Sequence, residues 1–99
     1  MNPDAIAHLE QTCFACPSQW EGRLEDGTEF YVRFRGNRLR IGFGATFKEA
    51  VDHGIGMDGL EPHLTFCPPG GHPLDGVMGW GEVVPHFAVA LANYRAQQA

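Results

Sequence analysis

Four of the chain's seven basic residues are arginines gathered within residues 33–40: Arg33, Arg35, Arg38 and Arg40. A guanidinium presents a planar fork of N–H donors that matches carboxylate and phosphate, and it does not lose its charge. The four sit at alternate positions on either side of Gly36-Asn37, so a hairpin there puts all of them on one face. Tyr31 falls on the same alternation and offers a ring for stacking or contact area. The chemistry implied is recognition of an anion. The partner is then an acidic protein surface, or a phosphate backbone with Tyr31 stacked on a base. The competing reading is a solvated face on which Glu21, Glu25 and Glu29 answer the arginines with salt bridges.

A second constellation has the donors and spacing of a metal site. Cys13 and Cys16 have chelate spacing, and Cys67 with His72 supplies a second pair, together a Cys3His set suited to tetrahedral zinc. The two halves are far apart in the chain, and neither is a complete zinc knuckle. The alternative is that Cys16 and Cys67 are small buried apolar residues. Catalysis has less to stand on. Cys67 and the five histidines (His8, His53, His63, His72, His86) offer a Cys–His pair at most, with no nucleophile elbow, HExxH or paired carboxylates. Gly54-x-Gly56 and Gly70-Gly71 do not match a P-loop. Asp52-His53 reads as a surface pair near a helix end, and Trp80 as a core residue between tight glycines. No enzyme activity is expected.

The elements that must position these groups are clearest between residues 18 and 43. Trp20, Gly22 and Leu24 alternate with Glu21, Arg23 and Glu25. Phe30, Val32 and Phe34 alternate with Tyr31, Arg33 and Arg35. Leu39, Ile41 and Phe43 alternate with Arg38, Arg40 and Gly42. These are three half-buried strands by their period of two. A two-residue turn at Gly36-Asn37 pairs Arg35 with Arg38, Phe34 with Leu39, Arg33 with Arg40 and Val32 with Ile41. A two-residue turn at Asp26-Gly27 would mix the faces. A three-residue turn, Glu25-Asp26-Gly27, pairs Gly22 with Phe30 and Trp20 with Val32 and keeps the faces apart.

Outside the meander the signals are shorter. Asn2 and Pro3 suit the start of a helix over residues 2–12, with Ile6 and Leu9 as its narrow apolar face. Thr46-Phe47-Lys48-Glu49 is a capping box opening a helix over 46–53, with Gly54 as its stop. A strand at 63–66 interrupts a long loop rich in glycine and proline, and 80–84 reads as another strand. Pro85 then opens a last helix to about residue 97, with Phe87, Leu91 and Tyr94 at helical spacing.

Length and composition bound the rest. Ninety-nine residues support one domain, and 43% hydrophobic with 19% charged is ordinary for a globular chain. A net charge of −5 argues against a general nucleic-acid coat. No apolar run approaches the length of a membrane span, and the start lacks a signal peptide's basic and apolar regions, so a reducing cytoplasm is expected and a disulfide among three cysteines is not.

Cys16-Pro17-Ser18-Gln19-Trp20-Glu21-Gly22-Arg23, with Asp26-Gly27 and Tyr31-Val32-Arg33-Phe34-Arg35, resembles a group of short uncharacterised proteins of bacteriophages and bacteria carrying mobile elements. The resemblance spans roughly residues 14–50 and implies no activity. It implies an accessory role of the kind that binds and blocks a host macromolecule. Gly44-Ala45-Thr46-Phe47-Lys48-Glu49-Ala50 is also similar to HicB-type antitoxins, in which a meander leads into a Gly-x-Thr-x-x-Glu-Ala helix. Here the tight Gly36-Asn37 turn stands where that family has a Pro/Gly/Cys segment.

The expected architecture is a single α+β domain. It has a three- to five-stranded, mainly antiparallel sheet, short helices at the N-terminus, at 46–53 and at the C-terminus on the Trp20/Val32/Ile41 face, and an arginine-rich opposite face. The expected function is non-catalytic binding of an acidic protein through Tyr31, Arg33, Arg35, Arg38 and Arg40. Nucleic-acid binding by the same face and a zinc-supported module at Cys13, Cys16, Cys67 and His72 are the alternatives.

Overall fold

At the tip of the arginine hairpin, Gly36 and Asn37 both take positive φ, 62° and 56°. Two consecutive left-handed residues make the tight turn whose twist matches antiparallel strands. In a computed structural model of the chain, which describes residues 2–14, 18–72 and 77–98, this turn joins β3 (Glu29–Arg35) to β4 (Arg38–Gly44). Their register is the expected one: Arg35 faces Arg38, Phe34 faces Leu39 and Arg33 faces Arg40. The preceding turn also follows the expectation. Leu24 N–H donates to the Thr28 carbonyl at 2.8 Å, Gly27 has φ 90°, and the Asp26 carboxylate accepts from Thr28 N–H at 2.9 Å. That turn ends β2 (Ser18–Leu24) and sets Trp20 opposite Val32.

The sheet has five antiparallel strands in sequential order, with β1 (Ile6–Phe14) and β5 (Leu64–Phe66) at its edges. β1 corrects the expected N-terminal helix. Asn2 makes only a turn, with Ala5 N–H donating to its carbonyl at 3.0 Å, and the chain then runs extended. Two register shifts, between Ile6 and His8 and between Gln11 and Cys13, explain the misreading. A bulge inserts one residue and slips the alternation, so Ile6 and Leu9 acquire a helix-like spacing of three while both belong to a strand.

Helix α1 (Phe47–Ile55) begins where the capping box predicts: the Thr46 side chain accepts from Glu49 N–H at 3.2 Å. It ends at Gly56, with φ 75°, rather than at Gly54. Helix α2 (Trp80–Gln98) replaces both the strand expected at 80–84 and the helix expected to open at Pro85. Its first bonds run to Gly79, from Glu82 and Val83 N–H. Pro85 therefore lies inside the helix and withholds an N–H from the carbonyl of Gly81. Gly81 is exposed, so the carbonyl left without that donor lies in a turn of the helix open to solvent.

Helix α2 covers one sheet face. Its buried residues Val83, Phe87, Ala90, Leu91 and Tyr94 recur at helical spacing and meet Trp20, Phe30, Val32, Ile41 and Phe43 in one core. Phe87 packs edge-on against Phe30 and Phe43, and Trp80 lies 5.7 Å from Trp20 between ring centres. The expected placement of all the helices on this face does not hold. α1 lies on the other side, where Gly42 and Gly54 let backbone meet sheet. A methyl group at Gly42 would strike Ala50 and Gly54, and one at Gly54 would strike the Tyr31 ring. No helix among the described residues is long and apolar enough to cross a membrane.

Candidate anion-binding site

The face of the sheet turned away from α2 has two halves. Near the β2–β3 turn it is roofed by α1. Beyond α1, toward the Gly36-Asn37 tip, the arginines stand open. Side chains directly opposite across an antiparallel pair approach within about 5 Å at Cβ. The facing pairs Arg33–Arg40 and Arg35–Arg38 therefore concentrate four positive charges in two adjacent rows. With Gly36 they line a concavity of about 340 Å³. Arg35 and Arg38 are exposed at its rim, and Arg33 and Arg40 are half-buried deeper in.

No acidic side chain among the described residues answers any of the four. The ion pairs among the described residues are Lys48–Asp52, Arg95–Asp4 and Arg95–Asp26. The salt bridges that Glu21, Glu25 and Glu29 were expected to supply are not formed. Arg33 carries a further signature: its Nε is buried and has no hydrogen-bond partner. Buried donors are nearly always satisfied, and leaving one open costs about 1–3 kcal/mol.

Tyr31 does not play the part expected of it. It is 6% exposed, covered by Gly54 of α1, and its hydroxyl donates to Gln19 Oε1 at 2.9 Å. Burial pushes its pKa up; the neighbouring Arg33 charge pulls the other way and the Glu21 carboxylate adds to the rise. The ring is thus a wall between α1 and Arg33, with no face to offer a base. Among the described residues the concavity is lined by guanidiniums and a glycine, with no aromatic ring.

One feature of the site has no counterpart in the sequence reading. The Asn37 side chain donates to the Pro68 carbonyl at 3.0 Å, and Gly71 lies close against the same side chain. The loop after β5 is thereby tied to the hairpin tip beside the arginines. Of the residues missed, Gly42 could have been found: a glycine on a strand face beside a tyrosine signals close approach by another backbone.

The zinc set does not assemble as expected. Cys16 lies outside the described residues. Cys13 is on β1 and Cys67 follows β5, at opposite edges of the sheet, roughly 19 Å apart at four strand spacings. One metal ion cannot span that distance. Among the described residues no three His, Cys, Asp or Glu side chains gather to hold a metal.

A buried histidine was also not anticipated. His63 is 5% exposed, with its ring 4.5 Å from that of His53 and 5.1 Å from that of Tyr94. Its Nδ1 accepts from Phe43 N–H at 3.1 Å, its carbonyl accepts from Asn93, and burial together with the nearby His53 lowers its pKa to about 4. These bonds make it a tie between β4 and α2. His53 Nδ1 meets the Glu61 carbonyl at 2.9 Å, and Asp52 pairs with Lys48 rather than with His53.

Comparison with protein-family models, curated proteins and solved structures finds no match to this chain.

Proposed function

We propose that the chain is a small non-catalytic intracellular binding protein whose β3–β4 face takes an acidic segment of another protein. One observation carries the reading: four guanidiniums open into one concavity, and no carboxylate of the described residues pairs with any of them. Like charges opposed across a sheet destabilise it, so an external anion supplies what the fold withholds. Guanidinium forks bind carboxylates in bidentate fashion, and Arg33 Nε offers a donor already stripped of water.

Two features favour a carboxylate-bearing partner over a nucleic acid. Burial of Tyr31 leaves the concavity, among the described residues, without an aromatic ring on which a base could stack. The chain's net charge of −5 opposes the dense charge of a phosphate backbone at long range.

The test is fluorescence anisotropy with a labelled Asp/Glu-rich peptide and a labelled oligonucleotide, using wild type and Arg35→Glu. Peptide binding that weakens with Arg35→Glu supports the reading. Preference for the oligonucleotide, with affinity falling steeply in salt, would replace it with the nucleic-acid alternative.

A further inference from the structure

We infer that β1 pairs antiparallel with β1 of a second copy of the chain, joining two sheets into one through a two-fold axis at Leu9. The two edges of the sheet differ. β5 is three residues long and runs into Cys67-Pro68-Pro69, which closes that edge to further pairing. β1 is nine residues long and contains neither proline nor lysine. Its outer backbone groups form a row open to another strand.

The side chains of β1 show the same incompleteness. On the α2 side, the residues of β2, β3 and β4 are buried, while Ile6, Leu9 and Phe14 of β1 remain 36%, 38% and 72% exposed. On the other face β1 sets no opposite charges together. Glu10 faces Glu21 and His8 faces Arg23, and neither Glu10 nor His8 has an ion-pair partner among the described residues.

Charge selects the register. Between its two bulges β1 is regular over 8–11. Residues opposed across an antiparallel pair point to the same face, so a two-fold axis normal to the sheet passes through a residue. An axis at Glu10 opposes two carboxylates, and one at His8 opposes two imidazoles. An axis at Gln11 opposes Glu10 to Thr12 and pairs no charge, whereas one at Leu9 opposes His8 of each copy to Glu10 of the other, twice, and sets the two Leu9 side chains together on the α2 side. Each Glu10, which faces Glu21 on one side, then gains an imidazole donor on the other.

The same axis turns both arginine faces to one side of the ten-stranded sheet, with the two β3 strands roughly 24 Å apart. The dimer does not depend on what that face binds.

Sedimentation equilibrium from micromolar to millimolar protein tests the inference, with circular dichroism confirming the fold of each variant. Wild type is expected to dimerise and Leu9→Lys to be monomeric. His8→Glu, which opposes carboxylates, is expected to weaken the dimer about tenfold, and adding Glu10→Lys to restore it. Both of those sites are exposed, so the pair remains informative should Leu9→Lys unfold. A monomeric wild type, a dimer that survives Leu9→Lys, a double variant that fails to restore it, or a dimer broken instead by Val89→Glu on the outside of α2 would each overturn the proposal.

Discussion

Arg33 and Arg40 face each other across β3 and β4, and neither has a carboxylate within ion-pairing reach among the described residues. Two like charges held opposite one another are a cost that a sheet selected only for stability would shed. The arrangement separates what the fold needs from what the face does, so each can be measured while the other is watched.

Arg40→Glu converts the opposed pair into an attractive one. Urea unfolding should show an increase in stability of about 0.5 kcal/mol, in the range of favourable cross-strand charge pairs. Arg33→Met removes the buried unpartnered Nε and should be stabilising by about 1 kcal/mol. Both variants should lose affinity for an acidic peptide. A fall in stability for both would show that the arginines serve the fold.

Gly54 is where α1 meets the sheet. Gly54→Ala places a methyl group against the Tyr31 ring, and a packed interface yields little, so stability should fall by about 1–3 kcal/mol. Thermal unfolding measures it. The same substitution at exposed Gly79, which has open space around it, should be far milder.

His63 makes the fold sensitive to acid. Its pKa is lowered from 6.5 to about 4 in the folded chain, so between those values the unfolded chain holds the extra proton. Stability contributed by the neutral ring is complete above pH 6.5 and is lost as pH falls toward 4, about 3 kcal/mol in all. Unfolding free energies across that window should decline in wild type, and more shallowly in His63→Asn. Parallel pH profiles for the two would exclude His63 as the cause.

Arg95 ties the N-terminal turn and the β2–β3 turn to α2 through Asp4 and Asp26, at 2.9 and 2.7 Å. These pairs are partly exposed, where such bridges contribute about 0.2–1 kcal/mol each. Arg95→Ala removes both and should therefore lower stability by no more than about 2 kcal/mol, read by urea unfolding.

The meander was legible because burial on one face imposes an alternation that survives in the residues themselves, and because glycine marks each turn. Trp20 opposite Val32 and Arg33 opposite Arg40 follow from pattern alone. β1 was not legible, because its bulges slip the alternation and leave Ile6 and Leu9 three apart. α2 was misjudged at its start because Pro85 ordinarily opens a helix, whereas here it lies within one, with the carbonyl it leaves without a donor belonging to exposed Gly81. The candidate site was half legible. The four arginines stand together as expected, but Tyr31 belongs to the packing beneath α1, a helix whose amphipathic pattern does not reveal which sheet face it covers. The cysteines that suggested zinc are separated by a strand order that no local spacing encodes.

The central claim is that the arginine face binds a carboxylate-rich partner. Anisotropy titration of a labelled Asp/Glu-rich peptide into wild type and into the quadruple Arg33→Ala, Arg35→Ala, Arg38→Ala, Arg40→Ala variant tests it most directly, with circular dichroism confirming that both are folded. Saturable binding to wild type that disappears in the folded quadruple variant is the predicted result. Equal binding by both proteins, or none by wild type at low salt, would contradict it.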